Sequence, residues 1–242
     1  MTLRHISFFL LLASTNVSSA TTIDFETTPT GETPIDNTLL TSAYTVDGVT
    51  VTFSIDTGNG PTAPVFEFAG DSDPISGFGT TLPSGQTNGP TDTAADGFAD
   101  RLGQWFLRPE TNAGGQNLKL SVEYTSTSGP ITAASGEIWD IEGREDPDSY
   151  EQWEVTAFDA SGTVLAVETS PKGTDIWSPF DGRPWRFEFS GLSDISRIEA
   201  NYVGNVPAGI AFDNFTPTTV PEPTSFAWAC LAAMILRRRR TR

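Results

Sequence analysis

The chain has 242 residues, 31 of them acidic and 14 basic, and a formal charge of −17 at pH 7, a balance that repels phosphate backbones and argues against nucleic acid as a partner. Its one cysteine, Cys230, and its one histidine, His5, lie near the two ends, so the body between them lacks cysteine nucleophiles, Ser-His-Asp triads, histidine bases, His/Cys zinc sites and disulfides. Carboxylates, lysine, tyrosine and arginine are what remain for chemistry, in a body long enough to bury one sizeable core without staples.

The first twenty residues have the layout of a secretory signal: Arg4 and His5, the apolar run Ile6–Ala13, then the small residues Val17-Ser18-Ser19-Ala20, which predicts cleavage after Ala20. The apolar run is too short to span a bilayer. From Thr21 to Val220 the chain carries 30 acidic and 8 basic residues, a formal charge of −22. Such a charge reads either as solubility and self-repulsion outside the cell or, more sharply, as carboxylates that collect divalent cations such as calcium.

Short alternating runs separated by Gly, Pro, Asp and Ser predict strands at Thr22–Glu26, Val49–Ile55, Val65–Phe68, Gln104–Leu107, Asn117–Tyr124, Gly136–Glu142, Gln152–Phe158, Val164–Glu168, Trp185–Phe189, Arg197–Tyr202 and Ala211–Phe215. Turn-rich gaps fall at Asp56–Pro61, Asp71–Pro74 and Asp159–Gly162. Eleven short strands without helices predict an all-β fold, a single antiparallel β-sandwich of the jelly-roll kind over residues 21–217. Pro83–Asp100 has no strand pattern and reads as a surface loop or the rim of a binding face.

Three patterns in the body carry candidate chemistry. Ile23-Asp24-Phe25-Glu26 near the start and Ala211-Phe212-Asp213-Asn214-Phe215 near the end alternate apolar side chains with acids, which sends one face to the core and the acids outward. These two ends resemble those of calcium-containing carbohydrate-binding jelly rolls. That resemblance implies that the first and last strands lie side by side and that Glu26 and Asp213 hold a structural calcium; the alternative is two solvated acids on edge strands.

Glu137-Ile138-Trp139-Asp140-Ile141-Glu142 is similar to the Glu-x-Asp-x-Glu strand of laminarinase-like glycoside hydrolases, with one departure. Asp140 and Glu142 share a face, whereas Glu137 stands three residues from Asp140 and points the other way unless a bulge intervenes. A carboxylate-dependent glycoside hydrolase or polysaccharide lyase is therefore the alternative function to be weighed. The third pattern is Trp105, Trp177 and Trp185 with Arg183 and Arg186 beside the last, a set that can stack on sugar rings and pair with uronates if it is exposed, and that otherwise packs in core or rim.

The chain ends in Val220-Pro221-Glu222-Pro223-Thr224-Ser225, the apolar run Phe226–Leu236, and Arg237, Arg238, Arg239 and Arg240. The prolines hold Glu222 in an extended segment open to a processing enzyme, and the arginines stop translocation. In this order and position the three parts resemble the PEP-CTERM sorting domain recognised by exosortases. The resemblance implies that Pro221, Glu222 and Pro223 are the recognition motif and that the apolar helix and arginines anchor the chain in the membrane until processing. The apolar run of 11 residues makes about 17 Å of helix, short of a hydrocarbon core of about 30 Å. The strands around Trp139 and Trp153 and the Asp159–Gly162 turn are similar to sandwich bodies that precede such tails, which gives both tryptophans a structural role.

The expected organisation is a signal peptide over 1–20, a β-sandwich ectodomain over 21–217 and a sorting tail over 218–242. The expected function is that of an exported, non-enzymatic surface or extracellular-matrix protein, structural or exopolysaccharide-binding. Its expected partners are an exosortase-type enzyme, the membrane and exopolysaccharide, and its expected cofactor is structural calcium.

Overall fold

A computed structural model describes residues 20–69, 94–110, 117–142, 148–174, 178–205 and 210–219. Twelve strands and one short helix form among these residues: β1 Tyr44–Val46, β2 Val49–Asp56, β3 Pro61–Thr62, β4 Val65–Phe68, α1 Ala99–Leu102, β5 Trp105–Arg108, β6 Lys119–Ser126, β7 Ile131–Ile141, β8 Trp153–Phe158, β9 Val164–Thr169, β10 Phe180–Phe189, β11 Arg197–Tyr202 and β12 Ala211–Thr219. They make two antiparallel sheets. One is ordered β1-β2-β6-β11-β8-β9 with β3 added against β2; the other is ordered β10-β7-β12-β5-β4.

Period-two patterning decides which side chains face inward. In β2, Val49, Val51, Phe53 and Ile55 are buried while Thr50 and Thr52 are exposed. Leu120, Val122 and Tyr124 of β6, Ile198, Ala200 and Tyr202 of β11, and Trp153, Val155 and Ala157 of β8 complete that inner face. Ile138, Phe187, Phe189, Phe212, Phe215, Leu107 and Phe66 meet it from the second sheet. At the centre, Phe53 and Phe215 lie edge-on at 5.1 Å, with Phe25 at 5.3 Å from Phe53 and 6.1 Å from Phe215. Trp139 and Trp153 are fully buried, and Trp153 packs on Tyr202 and Phe212 at 5.3 and 5.4 Å, which is the structural role expected of them.

The outer face of the five-stranded sheet is covered as well. Leu102 of α1 packs with Phe106, Trp139 and Ala211, and Ala94 and Phe98 join them. The final part of the predicted Pro83–Asp100 loop is thus a lid on this sheet, while residues 83–93 lie outside the described residues.

Several elements differ from expectation for local reasons. β1 was absent from the predicted strands; it pairs with β2 across Asp47-Gly48, whose φ values of 50° and 77° suit the tight two-residue hairpin that an Asp-Gly pair favours. β7 begins at Ile131 rather than Gly136, since Ala133, Ala134 and Ser135 show no apolar period yet pair with β12, and Ala134 and Ser135 with β10 as well. β10 begins at Phe180 rather than Trp185 because a register shift absorbs the turn-like Asp181-Gly182-Arg183. The predicted strand Thr22–Glu26 makes one bridge, Ile23 to Phe215, and then turns at Phe25, whose φ is 57°. β12 runs on to Thr219, four residues past the predicted strand end at Phe215 and two past the expected domain boundary at 217. Among the described residues no helix is long and apolar enough to cross a membrane. The signal segment up to residue 19, the Pro221-Glu222-Pro223 motif, the Phe226–Leu236 run and Arg237–Arg240 lie outside the described residues.

Candidate functional site

The first and last segments of the body meet as a strap. The Ile23 amide donates to the Phe215 carbonyl at 2.8 Å, the Phe215 amide returns the bond at 3.0 Å, and the Thr22 and Thr216 hydroxyls lie 3.1 Å apart. With Ile23 and Phe25 in the core, Asp24 and Glu26 are left on the other side of the strap. The Gln104 and Trp105 amides, just past α1, donate to Glu26 Oε1 at 2.6 and 3.2 Å. Only glycine fits at Gly103, where φ is 69° and an added Cβ would sit 2.0 Å from Glu26 Oε1.

A bulge in β12 sets the second acid. The register with β7 shifts between Asp213 and Thr216, and Asn214 takes a φ of 56°. One extra residue lets both Phe212 and Phe215 face the core, so Asp213 lies on the opposite side, opposite Glu137. The outward direction is the expected one, but the solvation is not: β12 is the middle strand of its sheet and Asp213 is 0 % exposed. Asn214 ties the group together. Its backbone amide donates to Asp213 Oδ1 at 2.7 Å, and its Nδ2 donates to Asp213 Oδ2, Glu137 Oε2 and the Arg101 carbonyl, each at 3.0 Å.

The charges on this face are unequally matched. Glu67 pairs with Arg108, Nε to Oε2 at 2.5 Å, and Arg101 of α1 donates from Nε to Glu137 Oε1 at 2.8 Å. Among the described residues no cation pairs with Asp213. Burial pushes its carboxyl well above the usual range, and Glu137, Asp24 and Glu26 add to the rise against the Asn214 amide, which opposes it. The Tyr44 hydroxyl, which donates to the Thr27 carbonyl at 2.6 Å, is likewise pushed up by burial and by Asp24 and Asp213. Arg101 thus answers Glu137, while burial among like charges favours the protonated form of Asp213.

A second carboxylate group forms at the end of β7. Asp140, Glu142 and Asp181 each bring an oxygen within 4.8 Å of the others, close enough to share one metal ion. Asp140 is buried with φ 65°, so Ile138 and Ile141 both reach the core across it. The Gly182 amide donates to Asp140 Oδ1 at 3.3 Å, and burial raises the Asp181 carboxyl while Arg183 opposes the rise. The expected association of Asp140 with Glu142 is present. Glu137, weighed with them as a catalytic trio, is held instead by Arg101 and Asn214. The third member is Asp181, which the sequence reading missed because Asp181-Gly182 looks like a turn; register with β7 is what brings it in.

The aromatic set is dispersed. Trp105 is buried and lies edge-on to Phe68 at 5.1 Å. Trp185 is half-buried and tilted against Phe187 at 6.2 Å. Their strands, β5 and β10, are separated by β12 and β7. Arg183 is exposed, with its guanidinium 5.6 Å from the centre of the Phe98 ring. Trp177 lies outside the described residues.

The sequence matches no protein-family model, and no curated protein is significantly similar to it.

Proposed function

We propose that the chain is an exported, non-enzymatic protein of the cell envelope or extracellular matrix, whose jelly-roll body holds structural calcium and binds exopolysaccharide. In this reading an exosortase-type enzyme processes the tail at Pro221-Glu222-Pro223. The observation that carries the calcium assignment is Asp213, fully buried among Glu137, Asp24 and Glu26 with neutral Asn214 donors as its partners. A buried acid in like-charged company is stable when a cation enters or a proton binds. Calcium suits a site built from oxygen alone in a body without histidine or cysteine. Sorting is supported by the order of the tail, and a non-enzymatic role by Glu137, whose carboxylate is already engaged by Arg101 and Asn214.

The test is made in an exporting bacterial host with a matrix. The full chain is expected to leave the membrane fraction as a shortened species, and substitution of Pro221, Glu222 and Pro223 by alanine is expected to leave it long and membrane-bound. The processed protein is expected to co-sediment with matrix polysaccharide in calcium and to be released by EDTA, with retention reduced in Trp185→Ala. Release of new reducing ends or unsaturated sugars, abolished by Asp140→Asn, would replace this reading with the carboxylate-dependent hydrolase or lyase.

A further inference from the structure

Resting on the export reading, we propose that the mature amino terminus is itself a structural charge. Cleavage before Thr21 creates an α-ammonium that pairs with Asp47 and fastens the terminal strap to the β1–β2 turn.

The Thr21 nitrogen lies 2.8 Å from Asp47 Oδ2 and donates to it. Asp47 is not a wandering surface acid. It occupies the first central position of the Asp47-Gly48 hairpin, with Val46 and Val49 paired beneath it and a φ that Asp and Asn tolerate better than most residues. The carboxylate is thus presented by a rigid turn. From the next residue onward the strap is committed to the sandwich: Thr22 meets Thr216, Ile23 exchanges both backbone bonds with Phe215, and the Ile23 side chain is buried. Thr21 itself is exposed, so the bond before it is the last one that hydrolysis can open without removing a residue the fold uses.

The chemistry of that cut changes the contact. Water adds across the Ala20–Thr21 amide, Ala20 departs as a carboxylate on the signal peptide, and the Thr21 nitrogen takes up protons to become an ammonium. One neutral N–H facing Asp47 becomes a full positive charge with three donors, and a charge-assisted bond replaces a neutral-donor one. Processing therefore does more than release the chain. It adds the cation that pins the strap beside Asp24 and Glu26, in a body with few cations of its own.

The test uses the full chain recovered from an exporting host. Intact mass is expected to show Thr21 as the first residue. At neutral pH and low salt, the α-amine is expected to react with acetic anhydride about two- to fivefold more slowly than that of a short Thr-initiated peptide, the protection an exposed ion pair can give. Protection is expected to vanish in Asp47→Asn, which keeps the hairpin conformation, and to fade in the unaltered protein as NaCl approaches 1 M. A chain that begins at Thr21 but whose amine reacts at the peptide's rate, at every salt concentration, overturns the ion pair and leaves export standing. A chain recovered outside the cell with residues 1–20 attached overturns the cleavage and the pair with it, and a chain retained in the cytoplasm overturns the export reading.

Discussion

Replacing Glu26 separates the two jobs of its carboxylate. Its Oε1 accepts the Gln104 and Trp105 amides at 2.6 and 3.2 Å, and its charge adds to the negative field at Asp213. Glutamine keeps an acceptor for both amides and removes the charge; alanine removes both. In EDTA, Glu26→Ala is expected to lose about 1–3 kcal/mol through the abandoned amides, whereas Glu26→Gln is expected to melt at or slightly above the unaltered temperature, because one like charge near a buried acid has gone. Calcium reverses the comparison. A native-state ligand at a hundred times its Kd adds about 2.7 kcal/mol, which for a body of this size raises Tm by about 5–10 °C. That increment is expected in the unaltered protein and lost in both Glu26 variants and in Asp213→Asn. Differential scanning calorimetry of the exported protein in EDTA and in millimolar calcium reads all of these. An unaltered protein that ignores calcium, or a full increment surviving in Glu26→Gln, refutes the assignment of this site.

Three further outcomes follow from the same geometry. The raised carboxyl of Asp213 means that the folded state holds a proton which the unfolded chain has released, so in EDTA this group is expected to lower stability as pH rises from its ordinary 3.8 toward neutrality; denaturant titrations should show a pH slope more negative in the unaltered protein than in Asp213→Asn. Gly103→Ala forces a side chain onto a φ of 69° and a ψ of −145° and into Glu26 Oε1, and a loss of about 1–3 kcal/mol is expected, read from the urea midpoint. Phe215→Ala opens the aromatic centre shared with Phe25, Phe53 and Phe187, with an expected loss of about 3–5 kcal/mol in the same assay; a loss under 1 kcal/mol would mean the core does not close around that ring.

Sequence alone determined the all-β class, because alternation in segments such as Val49–Asp56 and Arg197–Tyr202 is a local property that burial of one sheet face requires. It also marked Glu26 and Asp213 as partners through the expectation that the ends of the body lie together, and the Ile23–Phe215 bridge brings those segments together. The environment of Asp213 was not legible. Whether an outward acid meets water or protein depends on what covers the sheet, and the cover is α1 with its flanks, drawn from a stretch with no periodic signal. Register decided the rest. The positive φ at Asn214 and Asp140 changes which neighbours share a face, and one-residue shifts of that kind leave no trace in composition. Asp181 joined Asp140 and Glu142 by the same route, through a bulge that strand pairing imposed on a segment whose residues favour a turn.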